Sequence, residues 1–239
     1  MFSVFKKILF PDNIKCMFCG NDIPNFDQQP FCNDCQKKLE FNIGHRCRIC
    51  DDPILNEAEV CDRCQKQKRY FKKAVCSLVY CGEAKNSILS FKENNQRFKA
   101  KGFAILISKC IFENKLQIDY ITFVPMTAKK QKERTFNQSK LLAEELAKLM
   151  NVEVIDIFEK TSDTKSQKTS TFLERQKNAL ESYALKSNLN FAGKNILIVD
   201  DVLTTCSTVN ALSALIYKSA KNVYACAIAR DKSISQTSS

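Results

Sequence analysis

The chain has 239 residues, 44% of them hydrophobic, and a formal net charge of +11. That length holds one good-sized domain and a small one, and that composition excludes disorder as the overall state. No apolar run approaches the roughly 20 residues that a membrane-spanning helix needs, which excludes an integral membrane segment. The charge is uneven. Residues 1–83 carry 13 Lys and Arg against 11 Asp and Glu, and residues 84–239 carry 24 against 15. Within the second part, residues 85–134 hold 11 basic and 4 acidic side chains. A polyanion is the natural partner of such a surface; a solvated lysine-rich face is the alternative.

In chain order, MFSVFKKILFPDN comes first. Lys6 and Lys7 split its apolar residues and no small-residue cleavage site follows, so it is expected to be a short amphipathic helix and not a signal peptide. Eight of the 13 cysteines then fall into four CxxC pairs: Cys16 and Cys19, Cys32 and Cys35, Cys47 and Cys50, Cys61 and Cys64. In a chain without an export signal this pattern points to metal in a reducing compartment, the cytoplasm, with a peripheral place at the inner membrane as the variant. A CxxC turn sets two sulfurs on one knuckle, and two knuckles complete a tetrahedron around Zn²⁺. Four pairs suit two closed, structural sites with no ligand position left for a catalytic water. Pairing first with second and third with fourth closes the shorter loops and is preferred over interleaving. Lys15, Arg46, Arg48 and Arg63 are expected to offset the thiolate charge by bonding to sulfur. His45, the only histidine, is read as a bystander, and Cys76, Cys81, Cys110 and Cys226 as small core residues.

The segment RCQKQKRYFKK holds Arg63, Lys66, Lys68, Arg69, Lys72 and Lys73, no acid, and the aromatic pair Tyr70 and Phe71. Cations neutralise phosphates and aromatic faces stack bases, so this is the candidate surface for single-stranded nucleic acid. The alternative is that the two aromatics open the core of the next domain.

From about Val75 the pattern alternates. Strands are predicted at VCSLVY, DYITFVP, EVIDIF, NILIV and VYACAIA, and helices at AKNSILSFKEN, KAKGFAILISKCIFEN, TFNQSKLLAEELAKLM and STVNALSALIYKSA. Thr135 with Gln138 three residues on reads as a capping box, with Leu142, Leu146 and Leu149 on the buried face. Strands that are apolar throughout and separated by helices imply an α/β domain with a parallel sheet covered on both faces.

Ligands of such sheets sit at the carboxyl ends of strands, beside a helix N-terminus. NILIVDDVLTTCST is placed there: a buried strand, Asp200 and Asp201, then Thr204, Thr205, Cys206, Ser207 and Thr208 leading into a helix. Hydroxyls and backbone N–H groups at a helix start suit a phosphate. The acids would repel it, but they suit sugar hydroxyls or a phosphate-bound Mg²⁺. The ligand these features describe together is a ribose phosphate. With five glycines, Gly20, Gly44, Gly82, Gly102 and Gly193, the chain can write neither GxGxxG nor GxxxxGK[ST], which removes the usual dinucleotide and P-loop sites.

VDDVLTTCST resembles the phosphoribosyl-pyrophosphate signature of type I phosphoribosyltransferases, and the chain as a whole resembles the ComF family of competence proteins. VPMTAKKQKERTFNQSKLLAEELA is similar to that family's VPxP…RGFNQ…LA segment, SQKTSTFLERQKNA to its Q…R..N segment (Gln167, Arg175, Asn178), and ILSFKEN to its short helix with a lysine (Lys92). The CxxC array matches its double zinc ribbon. The resemblance implies that Asp200 and Asp201 hold ribose hydroxyls while Thr204, Thr205, Cys206, Ser207 and Thr208 cradle the 5′-phosphate. It sets Pro125, Met126 and Thr127 facing pyrophosphate, with a mobile loop from Lys129 to Arg134, and makes Lys92 and Gln138 family-motif residues. It implies phosphoribosyl pyrophosphate with Mg²⁺ as ligand, a role in natural transformation with single-stranded DNA, and DNA-uptake or recombination proteins as partners. An active phosphoribosyltransferase is the alternative. Two departures stand out: Cys206 replaces the glycine after TT, and Thr135 the glycine before FNQ. Cysteine tolerates a left-handed backbone poorly, so either weaker phosphate affinity or a differently shaped loop is expected. The expected organisation is a helix and double zinc ribbon over 1–70, a type I phosphoribosyltransferase-like domain over 71–232, and a disordered tail over 233–239.

Overall fold

The computed structural model describes residues 15–24, 29–54, 57–93, 96–127, 136–161, 182–186 and 191–232. The amino-terminal helix, Lys129, Arg134, Thr135, Gln167, Arg175, Asn178 and the tail all lie outside them. The elements, in order, are α1 (Asn33–Lys38), α2 (Asp62–Lys66), β1 (Lys73–Val79), α3 (Gly82–Glu93), α4 (Lys99–Glu113), β2 (Tyr120–Phe123), α5 (Gln138–Met150) and β3 (Glu153–Val154). After them come β4 (Phe158–Lys160), β5 (Tyr183–Leu185), β6 (Asn195–Val199), β7 (Val202–Leu203), α6 (Ser207–Ile216) and β8 (Asn222–Arg230).

The main sheet runs β1-β8-β6-β2-β3, all parallel, with β7 also beside β8. β6 is buried at all five positions, as a strand covered on both faces must be. Its alternation splits the core in two. Leu197 and Val199 pack with α3, α4 and α5 on one face, and Ile196 and Ile198 pack with α6 on the other. Each half of the cysteine array covers a different face. Cys16, Met17 and Cys35 join the first face, and Cys47, Cys50 and Cys64 join the second.

Three local expectations are corrected. EVIDIF is not one strand: the chain leaves the sheet edge after Val154, and Phe158 opens β4, which pairs antiparallel with β5. Only two residues pair at that edge, because Ile157 and Phe158 are both drawn into the core on the α6 face. Helix α5 is capped by Asn137, whose side chain accepts from Lys140 N. Asn137 Nδ2 also donates to Val124 O at 3.0 Å, fixing the helix start on the end of β2, so no capping box from Thr135 is needed. Leu149 is exposed; Ala143 and Ala147 fill the buried stripe beside Leu142 and Leu146.

Candidate functional site

The sulfurs gather sequentially, Cys16, Cys19, Cys32 and Cys35 in one cluster and Cys47, Cys50, Cys61 and Cys64 in the other, each within 4.8 Å. The Sγ atoms of Cys19 and Cys32 are 3.7 Å apart and those of Cys50 and Cys61 are 3.6 Å apart. A zinc tetrahedron with bonds of about 2.3 Å has edges of about 3.8 Å, so both sets fit structural Zn²⁺. His45 stands outside both clusters, its Nε2 2.7 Å from Ala58 O. Cys76 and Cys226 are buried core residues, whereas the Cys81 thiol is half-buried and points at Glu40. The four cations expected on sulfur are instead engaged with acids: Lys15 with Asp22, Arg46 with Asp51, Arg48 with Glu59 and Arg63 with Asp52. A carboxylate concentrates its charge better than a thiolate and wins the guanidinium. Sulfur is approached by the Cys61 amide, 3.4 Å from Cys47 Sγ, and by Arg230, 4.0 Å from Cys50 Sγ.

At the carboxyl ends of β2 and β6 a cleft of about 170 Å³ is lined by Pro125, Met126 and Thr127, by Gln138 and Ser139 at the start of α5, and by Asp200, Asp201 and Thr208. The sheet order makes this convergence, since β2 and β6 are neighbours in register up to Phe123 and Val199. Lys92 reaches in from α3, its Nζ 2.9 Å from Asp201 Oδ1, and Gln138 donates to Lys92 O at 3.0 Å. Ser139 Oγ and the Asp201 amide both donate to Asp200 Oδ1, at 3.3 and 2.8 Å. Burial first, and then the charge of Asp201, push the Asp200 carboxyl up to about 7.

Of the hydroxyl loop, only Thr208 lines the cleft. Thr204 is exposed. Thr205 is buried, its Oγ1 2.7 Å from Ser207 Oγ and accepting from Ser207 N. Cys206 takes the left-handed conformation, φ 61° and ψ 16°, as the residue before α6. That is a conformation glycine adopts readily, and the loop holds it with a cysteine. The thiol is buried away from the cleft, 3.3 Å from Arg230 Nη1.

Sequence reasoning missed Ser139, Lys160, Tyr183 and Arg230. Lys160 and Tyr183 line the cleft from the β4–β5 pair, the Lys160 ammonium 5.7 Å from the Tyr183 ring centre. Burial, then the Asp200 charge, push the Tyr183 hydroxyl up to about 12. Ser139 follows the FNQ signal directly; short half-polar strands such as YAL left no comparable trace.

The basic segment after the second cluster divides. Lys66, Lys68 and Lys72 are exposed around a groove of about 380 Å³, and Lys73 opens β1. Arg63 is turned inward to Asp52 and serves the fold, whereas Arg69 lines the same groove while donating to Thr205 O at 3.3 Å. Phe71 is a core residue. Tyr70 stays half-buried against Tyr217, ring centres 4.8 Å apart, with Lys68 Nζ 5.2 Å from the Tyr70 centre. Among the described residues no helix is long and apolar enough to cross a membrane.

Comparison with known proteins agrees with this geometry. Residues 5–65 match the family described as double zinc ribbon domain, and residues 137–237 match the phosphoribosyl transferase domain. The chain is 26% identical over 215 residues to competence protein F of Haemophilus influenzae, covering 86% of this chain and 92% of that one. It is 27% identical to competence protein ComFC of Bacillus subtilis, covering 75% and 74%. To the DNA utilization protein YhgH of Escherichia coli it is 26% identical, covering 72% and 78%. A solved adenine phosphoribosyltransferase overlaps 61% of this chain and 75% of its own at 18% identity, with a TM-score of 0.37, too loose a superposition to bear on function. A double zinc ribbon domain towards one end, a phosphoribosyl transferase domain towards the other and relatives spanning most of its length make this chain a homologue of the proteins named competence protein F, ComFC and YhgH.

Proposed function

We propose that the protein acts in natural transformation, binding single-stranded DNA in the cytoplasm, and that its cleft receives phosphoribosyl pyrophosphate or a related ribose phosphate. The observation that carries the reading is the cleft itself. Asp200 and Asp201 meet the Pro125–Thr127 turn and Thr208 at the start of a helix, which suits a ligand with hydroxyls at one end and phosphate at the other. Mg²⁺ would enter with the pyrophosphate, since Asp201 already holds the Lys92 ammonium. For DNA, the support is the exposed cation edge of Lys66, Lys68 and Lys72 beside the Tyr70–Tyr217 pair, together with relatives named for competence and for DNA utilization.

Anisotropy with a labelled single-stranded oligonucleotide across a salt series tests the DNA half. Three phosphate contacts give a slope of log affinity against log salt near about −2, at roughly 0.7 per contact on a single strand. Binding indifferent to salt would sink it. Calorimetry with phosphoribosyl pyrophosphate and Mg²⁺ tests the cleft, and absence of heat when both are present overturns that half.

The second reading, an active phosphoribosyltransferase, gains from one observation: Cys206 holds the left-handed backbone that a glycine adopts readily. It requires pyrophosphate release with some acceptor base, abolished by Asp200→Asn with Asp201→Asn.

A further inference from the structure

Arg230, the last residue of β8, has no exposed surface. Its guanidinium divides among four acceptors. Nε donates to Asp52 Oδ1 at 3.2 Å, Nη1 donates to Thr204 O at 2.5 Å and lies 3.3 Å from Cys206 Sγ, and Nη2 lies 4.0 Å from Cys50 Sγ. Two of these groups, Cys50 and Asp52, belong to the second cysteine cluster and its turn. The other two belong to the hydroxyl loop. Only a planar fork of five N–H donors reaches both sides at once. Arg69 makes a parallel bridge from the segment after Cys64 to Thr205 O. The Asn210 side chain of α6 closes a third, donating to Lys68 O at 3.2 Å and accepting from Tyr70 N at 2.8 Å.

These contacts bear on a strained position. A cysteine in the left-handed region costs on the order of 1–2 kcal/mol and persists where its surroundings over-determine it. Here the carbonyls of Thr204 and Thr205 and the Cys206 thiol are all fixed by arginines whose other ends rest on the second cluster or beside it. The first cluster offers no such bridge among the described residues: it packs on the other face, where Met17 lies against Gly102 of α4.

We infer that Arg230 is a positioning residue that couples the second zinc cluster to the 204–208 loop, so that zinc in that cluster, and not in the first, sets the order of the loop. The metal fixes the Cys47–Asp52 turn, the turn fixes Arg230, and Arg230 fixes the loop carbonyl and thiol. By linkage the loop in turn helps to retain the ion.

Hydrogen exchange on the zinc-loaded full chain reads this without any ligand. Relative to the wild type, Cys61→Ser and Arg230→Lys raise exchange of amides 203–210 about tenfold, and Cys19→Ser leaves them unchanged. In Arg230→Lys, one of the two zinc ions transfers to a chromophoric chelator about tenfold faster while the other keeps its rate, a selectivity that general destabilisation does not produce. Unchanged exchange in Cys61→Ser, or an equal rise in Cys19→Ser, overturns the coupling. Should a variant fail to fold, the wild type itself decides. Native mass spectrometry separates species carrying one and two zinc ions during partial chelation, and loop exchange that does not follow loss of the second ion overturns the coupling equally. These arms need no ribose phosphate, so they stand or fall apart from the reading of the cleft.

Discussion

Asp200 holds a proton more tightly in the folded chain than an ordinary carboxyl does, with its value pushed up to about 7 by burial and by Asp201. The folded state thus binds more protons than the unfolded state between about pH 4 and 7, and stability contributed by this group is lost as pH rises through that window. Asp200→Asn keeps an acceptor for Ser139 and for the Asp201 amide while removing the charge. The variant is expected to be more stable than the wild type by about 1–2 kcal/mol near pH 8, the advantage shrinking near pH 5.5. Paired thermal melts at the two pH values check this, and an advantage that grows toward acid refutes it. The DD pair and the hydroxyls were legible because their spacing records chemistry locally. The inward turn of Cys206 was not, because nothing near it in the chain announces Arg230.

At the scale of elements, α4 owes its docking to one small residue. A Cβ on Gly102 would lie 2.4 Å from Met17 Sδ and 3.1 Å from Pro30 Cβ, and Met17 is itself buried with nowhere to retreat. Gly102→Val is expected to destabilise by about 1–3 kcal/mol, as overpacking of a filled core does. Denaturant unfolding measures it, and an unchanged midpoint would show that the ribbon gives way. The apolar strands and amphipathic helices were readable from periodicity, and NILIV was placed residue for residue. The β4–β5 pair was not, since its strands lie far apart in sequence and pair three residues each. Arg63 carried a surface reading that the packing reverses, because it lies against the buried Asp52 that only the folded chain supplies.

On the scale of the whole molecule, the two cysteine clusters cover opposite faces of one sheet. Zinc bound by the folded chain alone contributes about 4 kcal/mol at a thousandfold excess over its dissociation constant. Chelation is therefore expected to lower the single melting transition of the whole chain, and calorimetry would refute this by showing the carboxyl-terminal part melting at an unaltered temperature. The sequence by itself determined the ligand sets, the parallel α/β sheet and the acid–hydroxyl turn, because each is a pattern of short spacing that a local rule can read, whereas it only favoured the sequential pairing that the folded clusters show. Tertiary structure alone decided that one cluster lies behind the hydroxyl loop, that Lys92 reaches Asp201, and that Arg230 ties Asp52 to Cys206. Those contacts join residues as much as 178 positions apart, and they exist only because the sheet sets β8 beside both β1 and β6.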